Sequence, residues 1–174
     1  MIMSETRQVY RSAATEKMRF KKNFIFGLVI FLAVSAVIYV IAGIYSPPSH
    51  DKTSHKGRPI PDDNYIYTRV VSDFEYVFYL SANLYMQEDG SLNIYLTNPE
   101  DSEVDLLCKV KDAETGDVLY KSGRILAGEY VATLKPEGRI DNVKRDIFVE
   151  IYALNSETFI SEGTTRLDLV LQPW

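Results

Sequence analysis

The chain has 174 residues, 46% of them hydrophobic, and one cysteine; that is enough to bury one core, and no internal disulfide can brace it. The net charge of −5 hides a division, because residues 1–23 carry six basic against two acidic side chains and residues 46–174 carry 13 against 22. The acidic larger part excludes a nucleic-acid partner, since such binding needs a basic stripe that releases counterions.

Met1 to Asn23 is too short to bury a core of its own, and its basic residues serve to set membrane orientation. Phe24 to Tyr45 follows, without an ionisable group apart from Tyr39 and Tyr45. As a helix this run would be roughly 33 Å long, enough for a hydrocarbon core of about 30 Å. It is therefore expected to be a transmembrane helix, with its backbone groups satisfied internally and the lipid bilayer as its partner. A cleaved signal peptide would have a shorter apolar region, and a buried core helix would show a polar face. Lys17 to Lys22 place the N-terminus in the cytoplasm and residues 46–174 outside the plasma membrane.

Ser46 to Asp63 holds four prolines and few apolar residues, which predicts a spacer between membrane and domain. Both histidines, His50 and His55, lie here, and a spacer supplies no scaffold to fix metal geometry, so no metal site is expected. No Asn-x-Ser/Thr acceptor occurs, in keeping with a bacterial setting.

From Asn64 the hydrophobic period becomes two. Leu92, Ile94 and Leu96 alternate with polar neighbours, as do Leu106, Cys108 and Val110; further faces are expected from Tyr130, Ala132 and Leu134, from Ile147 to Ala153, and from Leu167 to Leu171. Turn residues separate the runs, among them Asp89-Gly90, Asn98-Pro99, Gly116-Asp117 and Asn155-Ser156. The expected fold is all-β, an antiparallel immunoglobulin-like sandwich over residues 64–174, with a barrel as the alternative. Hairpins are expected from Ala82 to Asn98 and from Val104 to Ser122. Asn64 to Leu80 fits either an outer strand or an edge segment.

Little in this domain points to catalysis. Cys108 shares a face with Leu106 and Val110 and reads as core. The domain from Asn64 onward has no histidine to activate a nucleophile, no glycine-rich phosphate loop precedes a helix, and the acids are scattered over turns. No enzyme activity and no cofactor are expected. What stands out is aromatic density between Tyr65 and Tyr95, from which Tyr76, Tyr79, Tyr85 and Tyr95 are the candidate interaction surface, because exposed tyrosines give contact area and a hydroxyl at low entropic cost.

The text at Leu92 to Val131, with LNIYLTNPE and then YKSGRILAGEYV, and the closing GTTRLDLVLQP, resembles small single-pass membrane-anchored proteins of Gram-positive Firmicutes that carry a C-terminal immunoglobulin-like extracytoplasmic domain of undefined function. The resemblance covers residues 82–174 and the layout of anchor and linker. It implies a bacterial envelope protein in which Gly123 and Gly128 mark where the chain crosses between strands, and it brings no catalytic residue. The functional expectation is a surface or envelope protein whose outer domain binds another protein, as an accessory or scaffold subunit, with self-assembly included among the partners. The alternative is a module binding glycan or another cell-wall ligand.

Overall fold

The computed structural model describes residues 24, 26–40, 47–61 and 65–174. The chain divides into two compact units, Met1–Pro47 and Pro48–Trp174. In the first, residues 24 and 26–40 are helical, as an apolar run without proline allows. Every side chain described in this helix is exposed, Phe26 and Phe31 at 67%. Among the described residues no helix is long and apolar enough to cross a membrane. The continuous part, residues 26–40, rises about 22 Å against a hydrocarbon core of about 30 Å. Residues 1–23, 25 and 41–45, which hold the basic segment and the rest of the expected span, lie outside the described residues.

The second unit is built from strands. In chain order these are β1 (His55–Lys56), β2 (Tyr67–Val71), β3 (Val77–Ser81), β4 (Leu84–Met86), β5 (Leu92–Thr97), β6 (Val104–Asp112), β7 (Val118–Lys121), β8 (Glu129–Leu134), β9 (Arg145–Asn155) and β10 (Ser161–Gln172). They form a curled mixed sheet in the order β1-β8-β5-β4-β10-β9-β6-β7, with β2 on β3 and β3 on β5 beside that path. A parallel contact, Leu171 opposite Leu84, joins its two halves. The period-two residues explain the core: Leu92, Ile94 and Leu96 of one half and Leu106, Cys108, Val110, Ile147, Val149 and Ile151 of the other belong to a single buried cluster. Each such Leu or Ile contributes roughly 1.5–3 kcal/mol relative to exposure. Among the described residues all strand pairings of this unit lie within residues 55–172, so its sheet and core are self-contained.

Both expected hairpins form, β4 with β5 and β6 with β7, around turns in which Gly90 and Gly116 take φ of 81° and 76°. The stretch 64–80 supplies a further hairpin from Tyr67, with Thr68 opposite Leu80. The expected face of Tyr130, Ala132 and Leu134 does not form: Val131 and Leu134 are buried, Tyr130 and Ala132 half-buried. A bulge is the reason. Asn93 faces Thr133 but Leu96 faces Val131, so two residues of β5 stand against one of β8 and the alternation is broken.

The expected spacer differs most from the structure, because residues 48–61 belong to the folded unit. Asp51 N donates to Arg124 O at 2.9 Å, Arg124 N to Ser49 O at 2.8 Å, and Gly57 N to Gly128 O at 2.8 Å, while β1 pairs with β8. Asp51 is 8% exposed; its carboxylate accepts from Gly123 N at 2.6 Å, Thr53 N at 2.8 Å and Thr53 Oγ1 at 2.6 Å. Composition suggested a spacer because this strap is held by main-chain bonds and one capped carboxylate rather than by apolar burial, and such bonds leave no trace in hydropathy.

Candidate functional site

Strands β3, β4 and β5 turn Phe78, Leu80, Leu84, Met86, Ile94 and Leu96 inward, so alternation sends Tyr79, Tyr85 and Tyr95 to the other face. Three of the four tyrosines singled out in the sequence thus share one face. Tyr65 joins them, its ring 5.9 Å from Tyr85 and 5.0 Å from Tyr95, both edge-on. Tyr67 stacks on Tyr79 at 5.5 Å and donates to Thr97 Oγ1 at 2.5 Å. Asn93 donates to the Tyr65 hydroxyl and accepts from Gln87. Tyr76 does not belong. It is 9% exposed, donates its hydroxyl to Ile151 O at 3.1 Å and meets Thr165 Oγ1 at 2.7 Å; burial pushes that hydroxyl's pKa up, with the Thr165 bond acting against it. Its spacing from Phe78 and Leu80 was the signal for an inward direction.

Tyr95 carries a further mark. Its φ is 49°, in the bulge of β5, a conformation that costs a residue with a Cβ roughly 1–2 kcal/mol. Backbone strain at a surface aromatic is the kind of outlier that accompanies a functional position.

Beside the tyrosines runs a groove of about 600 Å³. Lys56 and Arg58 of the strap form one wall, Glu100 and Asp101 another, and Tyr79 and Thr97 also line it. The Arg58 guanidinium lies 4.7 Å from the Tyr79 ring centroid, a cation–π contact. Asn98, fully buried, also lines this groove; its amide donates to Val104 O and Ile125 O, and its Oδ1 has no partner among the described residues. Arg58 could not be found from sequence, because its segment reads as a spacer.

The strap also brings a histidine to the domain, which the sequence did not suggest. His50 Nε2 is 2.8 Å from Glu129 Oε2, Ser54 Oγ donates to the same oxygen at 2.9 Å, and Ser54 Oγ is 3.1 Å from His50 Nε2. Serine and carboxylate therefore meet the same ring nitrogen, whereas a nucleophilic relay needs the acid on the opposite one. The arrangement pins the strap. Burial opposes the Glu129 charge, but hydrogen bonds from His50, Ser54 and Leu126 N and the His50 charge outweigh it and hold the carboxyl below its ordinary range. A depressed carboxyl stabilises the fold above its unfolded pKa, and that contribution is lost as pH falls through the folded value. Asp105 acts in the opposite sense: burial raises it although Arg124 lies 3.3 Å away. The expected result for Glu129→Gln is a smaller loss of urea-unfolding free energy between about pH 6 and about pH 3 than in the parent chain; an unchanged profile would show that Glu129 does not couple to folding.

Cys108 is fully buried, and burial raises its thiol far above the ordinary value, which makes it unreactive packing. Among the described residues no group of three or more His, Cys, Asp or Glu could hold a metal ion. No family model, no curated protein and no solved structure matches this chain.

Proposed function

We propose that this chain is a membrane-anchored envelope protein of a Gram-positive bacterium, with a cytoplasmic N-terminus and an extracytoplasmic immunoglobulin-like sandwich that docks a protein partner through its tyrosine face. The partner reading rests on one observation: Tyr79, Tyr85 and Tyr95 share the side of β3–β5 away from the core, where Tyr65 makes ring contact with Tyr85 and Tyr95 and Tyr67 with Tyr79, beside a groove, the residue type and setting that dominate binding surfaces. Anchoring is supported by the exposed apolar side chains of helix 26–40, continued in sequence to Tyr45; so long an apolar surface needs a non-aqueous surrounding. The sandwich is supported by the antiparallel pairings of β5 with β8 and of β6 with β7 and β9, which that architecture uses within its sheets. Within this reading the domain binds and does not catalyse.

A photo-reactive residue in place of Tyr85, in intact membranes, is expected to give one discrete cross-linked adduct, and the same residue in place of Asp168 on the other half none. Equal adducts at both, or none at Tyr85, would overturn the reading; mass spectrometry of the adduct separates a second copy from a different protein. The Tyr67–Tyr79 stack on the groove favours a second reading, a cell-wall glycan, since sugar rings also stack on aromatic faces. Retention of residues 48–174 on cell-wall polymer, lost in Tyr79→Ala, would select it.

A further inference from the structure

We propose that the concavity between the strap and the β7–β8 connection binds a phosphate-bearing anion through Lys52, Lys121 and Lys135. The cleft is about 240 Å³, and Ser49, Thr53 and Thr133 line it with the three lysines. The lysines come from separate places: Lys52 from the strap, Lys121 from the end of β7, Lys135 from just after β8. The Tyr120–Pro136 bridge sets Lys121 beside Lys135, and Lys52 joins their cleft because the strap is docked at Gly123.

Acids outnumber bases by 22 to 13 over residues 46–174, yet none of the three lysines is in an ion pair among the described residues, whereas Lys111, Arg124, Arg145 and Arg166 each are. Asp51 is the one carboxylate in the cleft wall, and its oxygens are taken by Gly123 N, Thr53 N and Thr53 Oγ1. His50, also in the wall, is committed to Glu129. Asp89 lies close enough for Lys135 to lower its carboxyl, behind its bonds to Ser91, but no ion pair forms. Three exposed lysines lining one cleft with a single capped carboxylate give it an uncompensated positive potential, which a bound anion would neutralise. Lysine binds phosphate as a point charge with freely rotating donors, and a tetrahedral phosphate offers an oxygen to each of three such chains.

Two sources share this chemistry, a lipid headgroup and a free phosphate. The headgroup is favoured on the anchoring reading proposed above.

The test uses residues 48–174, whose core and sheet are self-contained. With inorganic phosphate, amide shifts are expected at Lys52, Lys121, Thr133 and Lys135. Sedimentation is expected with vesicles of phosphatidylcholine and phosphatidylglycerol but not with phosphatidylcholine alone. The triple variant Lys52→Gln, Lys121→Gln, Lys135→Gln, its fold checked by unchanged shifts in β9, is expected to weaken both at least about tenfold, and Lys144→Gln to change neither. Phosphate shifts without vesicle binding keep the site and assign it to free phosphate. No shifts at these residues, or vesicle binding unaltered in the triple variant, overturn the proposal. Tyr85→Ala is expected to leave phosphate binding intact, so failure of the tyrosine-face reading and failure of this one are separable.

Discussion

Gly123→Ala is expected to lift the strap off the domain and to cost about 1–3 kcal/mol of unfolding free energy, the range for inserting carbon where the surroundings are already packed. A Cβ at Gly123 would stand 2.6 Å from Asp51 Cα, 2.7 Å from Asp51 N and 2.9 Å from Ser49 O. All three are backbone atoms, so no side chain can swing aside. Movement of the strap would also remove the Gly123 N–H from the Asp51 carboxylate, a bond of 2.6 Å to a buried charge, and a bond of that kind contributes about 1.5–3 kcal/mol. The two costs do not add fully, because once the strap peels away Asp51 is hydrated again. The expected signature is therefore local: faster tryptic cleavage after Lys52 and Lys56, with amide protection in β6 and β9 retained. Parent-like cleavage and stability would show that the strap and Gly123 do not meet as described.

Phe78→Ala is expected to cost about 3–5 kcal/mol, as deletion of a fully buried aromatic ring does. Phe78 has no exposed surface, and its ring centroid stands 6.0 Å from that of Tyr76. Against a total of about 5–15 kcal/mol for a domain, the loss leaves a folded state close to its limit. Urea unfolding followed by tyrosine fluorescence would show a lower midpoint at unchanged slope. Tyr120→Phe is the control: Tyr120 is equally buried, but its hydroxyl only donates to Gly90 O at 3.1 Å, so about 0.5–1.5 kcal/mol is expected. Equal effects of the two substitutions would mean that β3 is not part of the core.

The strands were legible because alternation is a local property: Leu106, Cys108 and Val110, or Ile147, Val149 and Ile151, show their buried face within a few residues of text, and all are buried. In the aromatic stretch the same alternation sends Tyr79, Tyr85 and Tyr95 away from the core. The stretch misled at Tyr76, whose hydroxyl finds Ile151 O and Thr165 Oγ1 on distant strands and so can be buried despite its polar tip. At β8 the alternation failed because a bulge depends on the partner strand, Asn93 to Leu96 against Val131 to Thr133, and leaves no local sign beyond a tyrosine with positive φ.

The amino-acid order by itself determined the β class of residues 65–174, two of the hairpins and the core of β5, β6 and β9, because these rest on spacing between near neighbours. Only the tertiary structure decided that residues 48–61 are a docked strap, that Arg58 reaches Tyr79, that His50 meets Glu129, and that Lys52, Lys121 and Lys135 line one cleft. Each of those contacts joins positions 14 to 83 residues apart, where composition and periodicity carry no information about who meets whom.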